Sequence, residues 1–346
     1  MSTSILESEI HAQPDVISEL LHKETENVNK IADDLRGRFK YVVIAARGTS
    51  DNAARYAQYL FGAHNRLQVA LATPSLFTLY ECPPDLSEAL VIGISQSGQS
   101  PDIVSVLSEA HRQGRPTLAI TNLQQSPLAE AADHVIMLHA GLEKAVAATK
   151  TYTSSLAGLA LLSCCLENNA QRMKDLERVP QAMQRAFLDL EPAASHVERY
   201  RYMAHCNVIG RGYNYSTAFE VALKVKELTR VVAEPYSSAD FRHGPVATVS
   251  RGFPVIVVAP QGAITQDMID LIAQLKGLGA ELLVISDDPQ HLSIANLPLP
   301  IPPGLPEWLT PLVAVIPGQL FAMQLAIEKG FNADQPEGLT KVTETF

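Results

Sequence analysis

Glu220, Lys224 and Glu227 are the residues in this chain best spaced for proton transfer. They lie in a stretch whose apolar residues, Ala218, Phe219, Ala222, Leu223, Val225 and Leu228, keep helical rather than strand spacing. Positions i, i+4 and i+7 of a helix stack on one face, so the pattern presents acid, base and acid together. Upstream stands a turn with Gly210 and Gly212; downstream, His243 sits in Arg-His-Gly-Pro. Glutamate, lysine and histidine gathered in this way suit general acid–base chemistry. The spacing alone is equally that of a solvated, salt-bridged helix face followed by a loop histidine.

A second group is rich in hydroxyls. The apolar run Ala89–Ile94 opens into Ser95-Gln96-Ser97-Gly98-Gln99-Ser100-Pro101-Asp102, ahead of a helical stretch that starts at Ile103. Three serines, a glycine and a proline at a first helical turn offer hydroxyls and unpaired amides together, which suits a phosphate monoester. Capping the helix would need only one of those hydroxyls. Tyr41–Ala46 followed by Arg47-Gly48-Thr49-Ser50-Asp51 is a weaker version of the same strand, turn and helix pattern. Neither loop has the Gly-Lys-Ser/Thr of a P-loop or the G-x-G-x-x-G of a dinucleotide site, so no nucleotide cofactor is expected. Lys144 and Lys150, in a hydroxyl-rich stretch from Gly141 to Thr153, could hold an anion or face water.

These groups must be positioned by strands alternating with helices, which predicts an α/β fold with a doubly wound, mainly parallel sheet. Further strands are expected at Thr117–Ile120 and Val135–Leu138, and helices over Ser4–Phe39 and Leu156–Leu166. Landmarks then repeat: Gly48 and Gly212 are 212 − 48 = 164 positions apart, and so are Gly98 and Gly262, 262 − 98 = 164. Two duplicated α/β domains follow from that offset. The expected layout is a helical segment over 1–40, a first domain over 41–166, a helical linker over 167–198, a second domain over 199–330 and a tail over 331–346. Ala259-Pro-Gln-Gly-Ala-Ile-Thr265 replaces the serine loop in the second copy.

A net charge of −10 argues against a general nucleic-acid binder. The longest apolar runs are broken by proline, glycine or charge, so no membrane span is expected. Cys82, Cys164, Cys165 and Cys206 have no metal-ligand spacing, and the adjacent pair in an apolar helix reads as core thiols. With no secretory signal at the start, the expected compartment is the cytoplasm.

Taken together, Gly48-Thr-Ser50, Ser95-Gln-Ser-Gly98, Val146-Ala-Ala-Thr-Lys150, Ala222-Leu-Lys-Val-Lys-Glu227, His243-Gly-Pro245 and Asp334-Gln-Pro with Lys341 resemble the sugar isomerase (SIS) superfamily. The arrangement is similar to that of the tandem isomerase domain of glucosamine-fructose-6-phosphate aminotransferase. The resemblance implies that Gly48, Thr49, Ser50, Ser95, Gln96, Ser97, Ser100, Val146 and Ala147 bind a phosphorylated amino sugar. It implies that Glu227 moves a proton between C1 and C2, with Lys224 beside it. His243 would assist ring opening from a neighbouring subunit of a homodimer, and Lys341 would meet the open-chain carbonyl as the tail closes the site. No metal or cofactor is implied. This chain begins at Met1-Ser2, without room for the aminotransferase's glutaminase domain, so hydrolytic deamination of glucosamine 6-phosphate is the expected reaction. A fructosamine-6-phosphate deglycase, an aldose–ketose isomerase and a non-catalytic sugar-phosphate sensor are the alternatives. Arg47 stands where the related loop has cysteine, and Gln99 and Ser100 where it has Glu and Thr.

Overall fold

The computed structural model describes residues 4–341, apart from the side chains of residues 191–195. The chain forms two compact units. Among the described residues, the N-terminal unit comprises 15–143, 150–177 and 340–341; the C-terminal unit comprises 4–14, 144–149 and 178–339.

The N-terminal unit is built on β1 (Tyr41–Ala46), β2 (Gln68–Leu71), β3 (Ala89–Ser95), β4 (Thr117–Thr121) and β5 (His134–Met137), in the order β2-β1-β3-β4-β5. The C-terminal unit contains β6 (His205–Gly210), β7 (Val232–Ser237), β8 (Pro254–Val258), β9 (Glu281–Ser286) and β10 (Leu297–Pro300), in the order β7-β6-β8-β9-β10. The two orders are the same, and every pairing is parallel. The strand starts keep the sequence offset: Tyr41 to His205 is 205 − 41 = 164 and Thr117 to Glu281 is 281 − 117 = 164. Inner strands such as β3 and β8 are buried along their whole length, which is why they read as continuous apolar runs.

In each sheet the winding reverses between the first and third strands. Loops leaving the carboxyl ends of those neighbours diverge there and open a crevice, the usual ligand position in open parallel sheets. In the N-terminal unit Ala46 pairs with Ile94, so the turn from Arg47 and the loop from Ser95 leave side by side.

Several expectations are corrected. The leading helix is two helices, Ile5–His11 and Gln13–Leu35, separated at Ala12. The apolar helix begins at Lys150 and runs to Glu167. One helical stretch, Glu307–Glu328, is after all long and apolar enough to cross a membrane. Pro317 does not interrupt it, and 83% of its most apolar window is buried inside the protein, as in a core helix. Lys150 neither faces water nor sits open to an anion: it is buried, and its Nζ donates to the Leu142 carbonyl at 2.9 Å.

Candidate active site

The helix Tyr215–Thr229 carries Glu220, Lys224 and Glu227. Its start is fixed by side chains: Asn214 accepts from Thr217 Oγ1 at 3.0 Å and donates Nδ2 to Thr310 Oγ1 at 2.8 Å. Its flank is fixed by a close approach, since a Cβ on Gly318 would lie 2.3 Å from Cγ2 of Val221. Only glycine lets the helix Thr310–Glu328 come so near.

On this helix Lys224 Nζ lies 3.4 Å from Glu220 Oε1 and 2.6 Å from Glu227 Oε2. The side-chain exposures are 0% for Glu220, 1% for Lys224 and 24% for Glu227. The face is therefore an interior charge file that reaches solvent at one end only, and not a solvated salt-bridged surface. One ammonium stands between two carboxylates, so Lys224 offsets the fully buried Glu220 and the surplus negative charge falls at Glu227, the partly exposed end. The Lys224–Glu227 approach is an ion pair, and the buried Oε2 accepts no hydrogen bond among the described residues.

His243 caps the short helix Ser238–Arg242, followed by Gly244 at φ +147°. It is exposed, and its ring makes no hydrogen bond or ion pair among the described residues. The turn carrying it is held by Asp267, which pairs with Arg242 at 2.7 Å and Arg211 at 2.9 Å and accepts from Ser238. Burial alone would raise the Asp267 carboxyl, but the bonds from Ser238, Arg242 and Arg211 outweigh it and hold the carboxyl below its usual range.

In the N-terminal unit, Ser95 Oγ accepts from Gly98 N–H at 3.1 Å and Ser97 Oγ accepts from Gln99 N–H at 3.3 Å. Gly98 has φ +61°, and a Cβ there would lie 2.3 Å from Ser126 Oγ, so this loop needs glycine. Ser100 is the N-cap of the helix Pro101–Arg112, yet its hydroxyl makes no capping bond. Capping therefore does not account for the serines. Gln96 anchors the loop by accepting Asn122 N–H at its carbonyl, 3.1 Å. Gly48, Thr49 and Ser50 open the helix Gly48–Leu60, with Gly48 at φ +53° and open space where its Cβ would be. Arg47 pairs through Nε with Asp102, 2.8 Å, whose side chain is fully buried.

The C-terminal unit also contains Val146 and Ala147. Val146 N–H donates to the Asp334 carbonyl at 3.2 Å, and the Glu9 carboxylate takes the amides of Lys144 at 2.5 Å and Ala145 at 3.2 Å. Asp334 in turn accepts the amides of Ile5 and Leu6, so the tail as far as this residue is tied down. Lys341 belongs to the N-terminal unit, where its Nζ lies 2.6 Å from Glu143 Oε2. The last residues of the expected closing tail, 342–346, lie outside the described residues.

Glu143 was not singled out by the sequence. It accepts from Thr151 N–H at 3.1 Å and Thr151 Oγ1 at 2.8 Å as well as from Lys341. A lone acid in a hydroxyl-rich, otherwise apolar stretch was the available signal.

The SIS domain profile matches residues 39–163 and again 204–329, more than half of the chain. The chain belongs to the SIS domain family. Among curated relatives, the glutamine–fructose-6-phosphate aminotransferase (isomerizing) of Thermococcus kodakarensis is 32% identical over 343 residues, covering 96% of this chain and 56% of the relative. This SIS protein thus spans little more than half the length of the relatives it matches. A solved structure of a candidate phosphosugar isomerase from Silicibacter pomeroyi is 30% identical, with TM-score 0.84, covering 96% of this chain and all of that one (100%). The glucosamine-6-phosphate deaminase of Thermotoga maritima, 21% identical with TM-score 0.79, covers 99% of this chain and 100% of its own; at that identity it shows the shared fold.

Proposed function

We propose that this SIS protein is a phosphosugar deaminase that converts glucosamine 6-phosphate and water to fructose 6-phosphate and ammonia. The observation that carries the reading is the buried Glu220–Lys224–Glu227 file, which holds one carboxylate at the solvent end of a charge-balanced interior. Proton transfer between adjacent sugar carbons needs a base of that kind.

In this reading the hydroxyls of Ser50, Ser97 and Ser100, with the loop amides after Ser95, take the phosphate. His243 assists ring opening. Glu227 removes the C2 proton of the open-chain 2-amino aldose, leaving a C1–C2 enaminol, and returns a proton to C1. The C2 imine so formed adds water, and ammonia leaves as the C2 ketone forms. Lys224 holds Glu227 in place, and Lys341, paired to Glu143, is available to the carbonyl end. Aldose–ketose isomerisation without amine loss shares the proton transfer, so glucose 6-phosphate is the natural control substrate.

His243 is exposed and its ring has no partner among the described residues, which supports a role in the site of a second subunit of a homodimer. Glu227→Gln should lower deaminase turnover by about a hundred- to ten-thousand-fold. Mixing inactive Glu227→Gln and His243→Ala proteins should restore part of the activity. Full activity in Glu227→Gln would end the assignment; failure of the mixture to recover would remove the shared site.

A further inference from the structure

The duplicated sheets carry two copies of the same crevice, and the C-terminal copy is filled by the chain itself. Gly212, in the turn after β6, corresponds to Gly48, and Gly262, in the loop after β8, corresponds to Gly98. A Cβ on Gly48 would meet nothing within 4 Å. A Cβ on Gly212 would lie 3.6 Å from Glu307 Oε1, and one on Gly262 only 2.2 Å from Glu307 Cδ. The Ala263 N–H, at the position matching Gln99, donates to Glu307 Oε2 at 2.7 Å.

A carboxylate therefore sits between the two glycine turns, against a loop amide and ahead of the helix Thr265–Gly277. Glu307 is held there by its surroundings. It starts a helical turn whose next residues, Trp308 and Leu309, are buried, and its carbonyl accepts Thr310 Oγ1 at 2.8 Å. The loop is also closed on itself, with Thr265 Oγ1 taking Gly262 N–H at 2.8 Å.

We infer that the crevice after β6 and β8 is a second anion site of the phosphate-monoester class, and that Glu307 is its built-in occupant. The carboxylate shuts this copy against phosphosugars, so that each chain offers one such site. The comparison rests on the proposed reading of the Ser95–Ser100 loop as the phosphate site.

Inorganic phosphate is the probe, read by calorimetric stoichiometry and by the phosphate-dependent rise in Tm of the full chain. Glu307→Ala should take up one phosphate per chain more than the parent and show a larger rise in Tm with phosphate. Glu307→Gln keeps the side chain's length and an acceptor for Ala263, and covers the case in which the alanine variant does not fold; it should show a rise larger than the parent's and smaller than that of Glu307→Ala, as weaker binding requires. If neither variant gains phosphate binding or a larger rise while the parent binds phosphate, the inference is overturned and the reading of the serine loop stands. If Glu307→Ala binds phosphate and the parent does not, the inference stands and the reading of the serine loop fails.

Discussion

Lys341 Nζ lies 2.6 Å from Oε2 of Glu143, a carboxylate whose side chain is fully buried. The lysine, from the end of the described chain, meets that acid with an ammonium, beside two bonds from Thr151. Removing it leaves an anion in the interior of the N-terminal unit. Lys341→Met should destabilise that unit by about 2 kcal/mol, less than for a fully buried pair because Lys341 is partly exposed. The double variant with Glu143→Gln should lose less than the sum of the single variants, as urea unfolding would show.

Lys224 is the more costly residue to remove. It is 1% exposed and lies within 3.4 Å of Glu220 and 2.6 Å of Glu227, so Lys224→Met takes the ammonium from between two carboxylates. A loss of about 3–5 kcal/mol is expected from breaking a buried pair. Urea midpoints should fall accordingly, and adding Glu220→Gln should recover part of the loss by removing the fully buried anion.

Asp267 gives a pH dependence with a definite sign. Burial acts to raise its carboxyl, but the bonds from Ser238, Arg242 and Arg211 prevail and its folded value lies below the ordinary 3.8. Its contribution to stability is then fully present above the unfolded value and disappears as pH falls through the folded one. The stability gap between wild type and Asp267→Asn should be constant at neutral pH and shrink below about pH 4. Urea midpoints across an acid series measure it; a gap that widens towards low pH would contradict the assignment.

The strands that could be read from sequence were mostly the buried ones. Tyr41–Ala46 and Ala89–Ile94 are continuous apolar runs because inner parallel strands are covered on both faces. β2, β7 and β10 were not read, and all three are sheet edges. β2 is half exposed along its length, and β10, Leu297-Pro-Leu-Pro300, holds prolines that only an edge accepts readily. The face of Glu220, Lys224 and Glu227 was visible as spacing, but its burial was not, because that depends on the packing of Gly318 against Val221. Glu143 and Glu307 were missed for a similar reason. Their partners, Lys341 and Ala263, are 198 and 44 positions away, beyond any local pattern.

The most direct test is to incubate the purified protein with glucosamine 6-phosphate and measure ammonia and fructose 6-phosphate together. Equal release of both, absent in Glu227→Gln, is the result predicted here. Binding of the sugar phosphate with neither product formed would contradict the account.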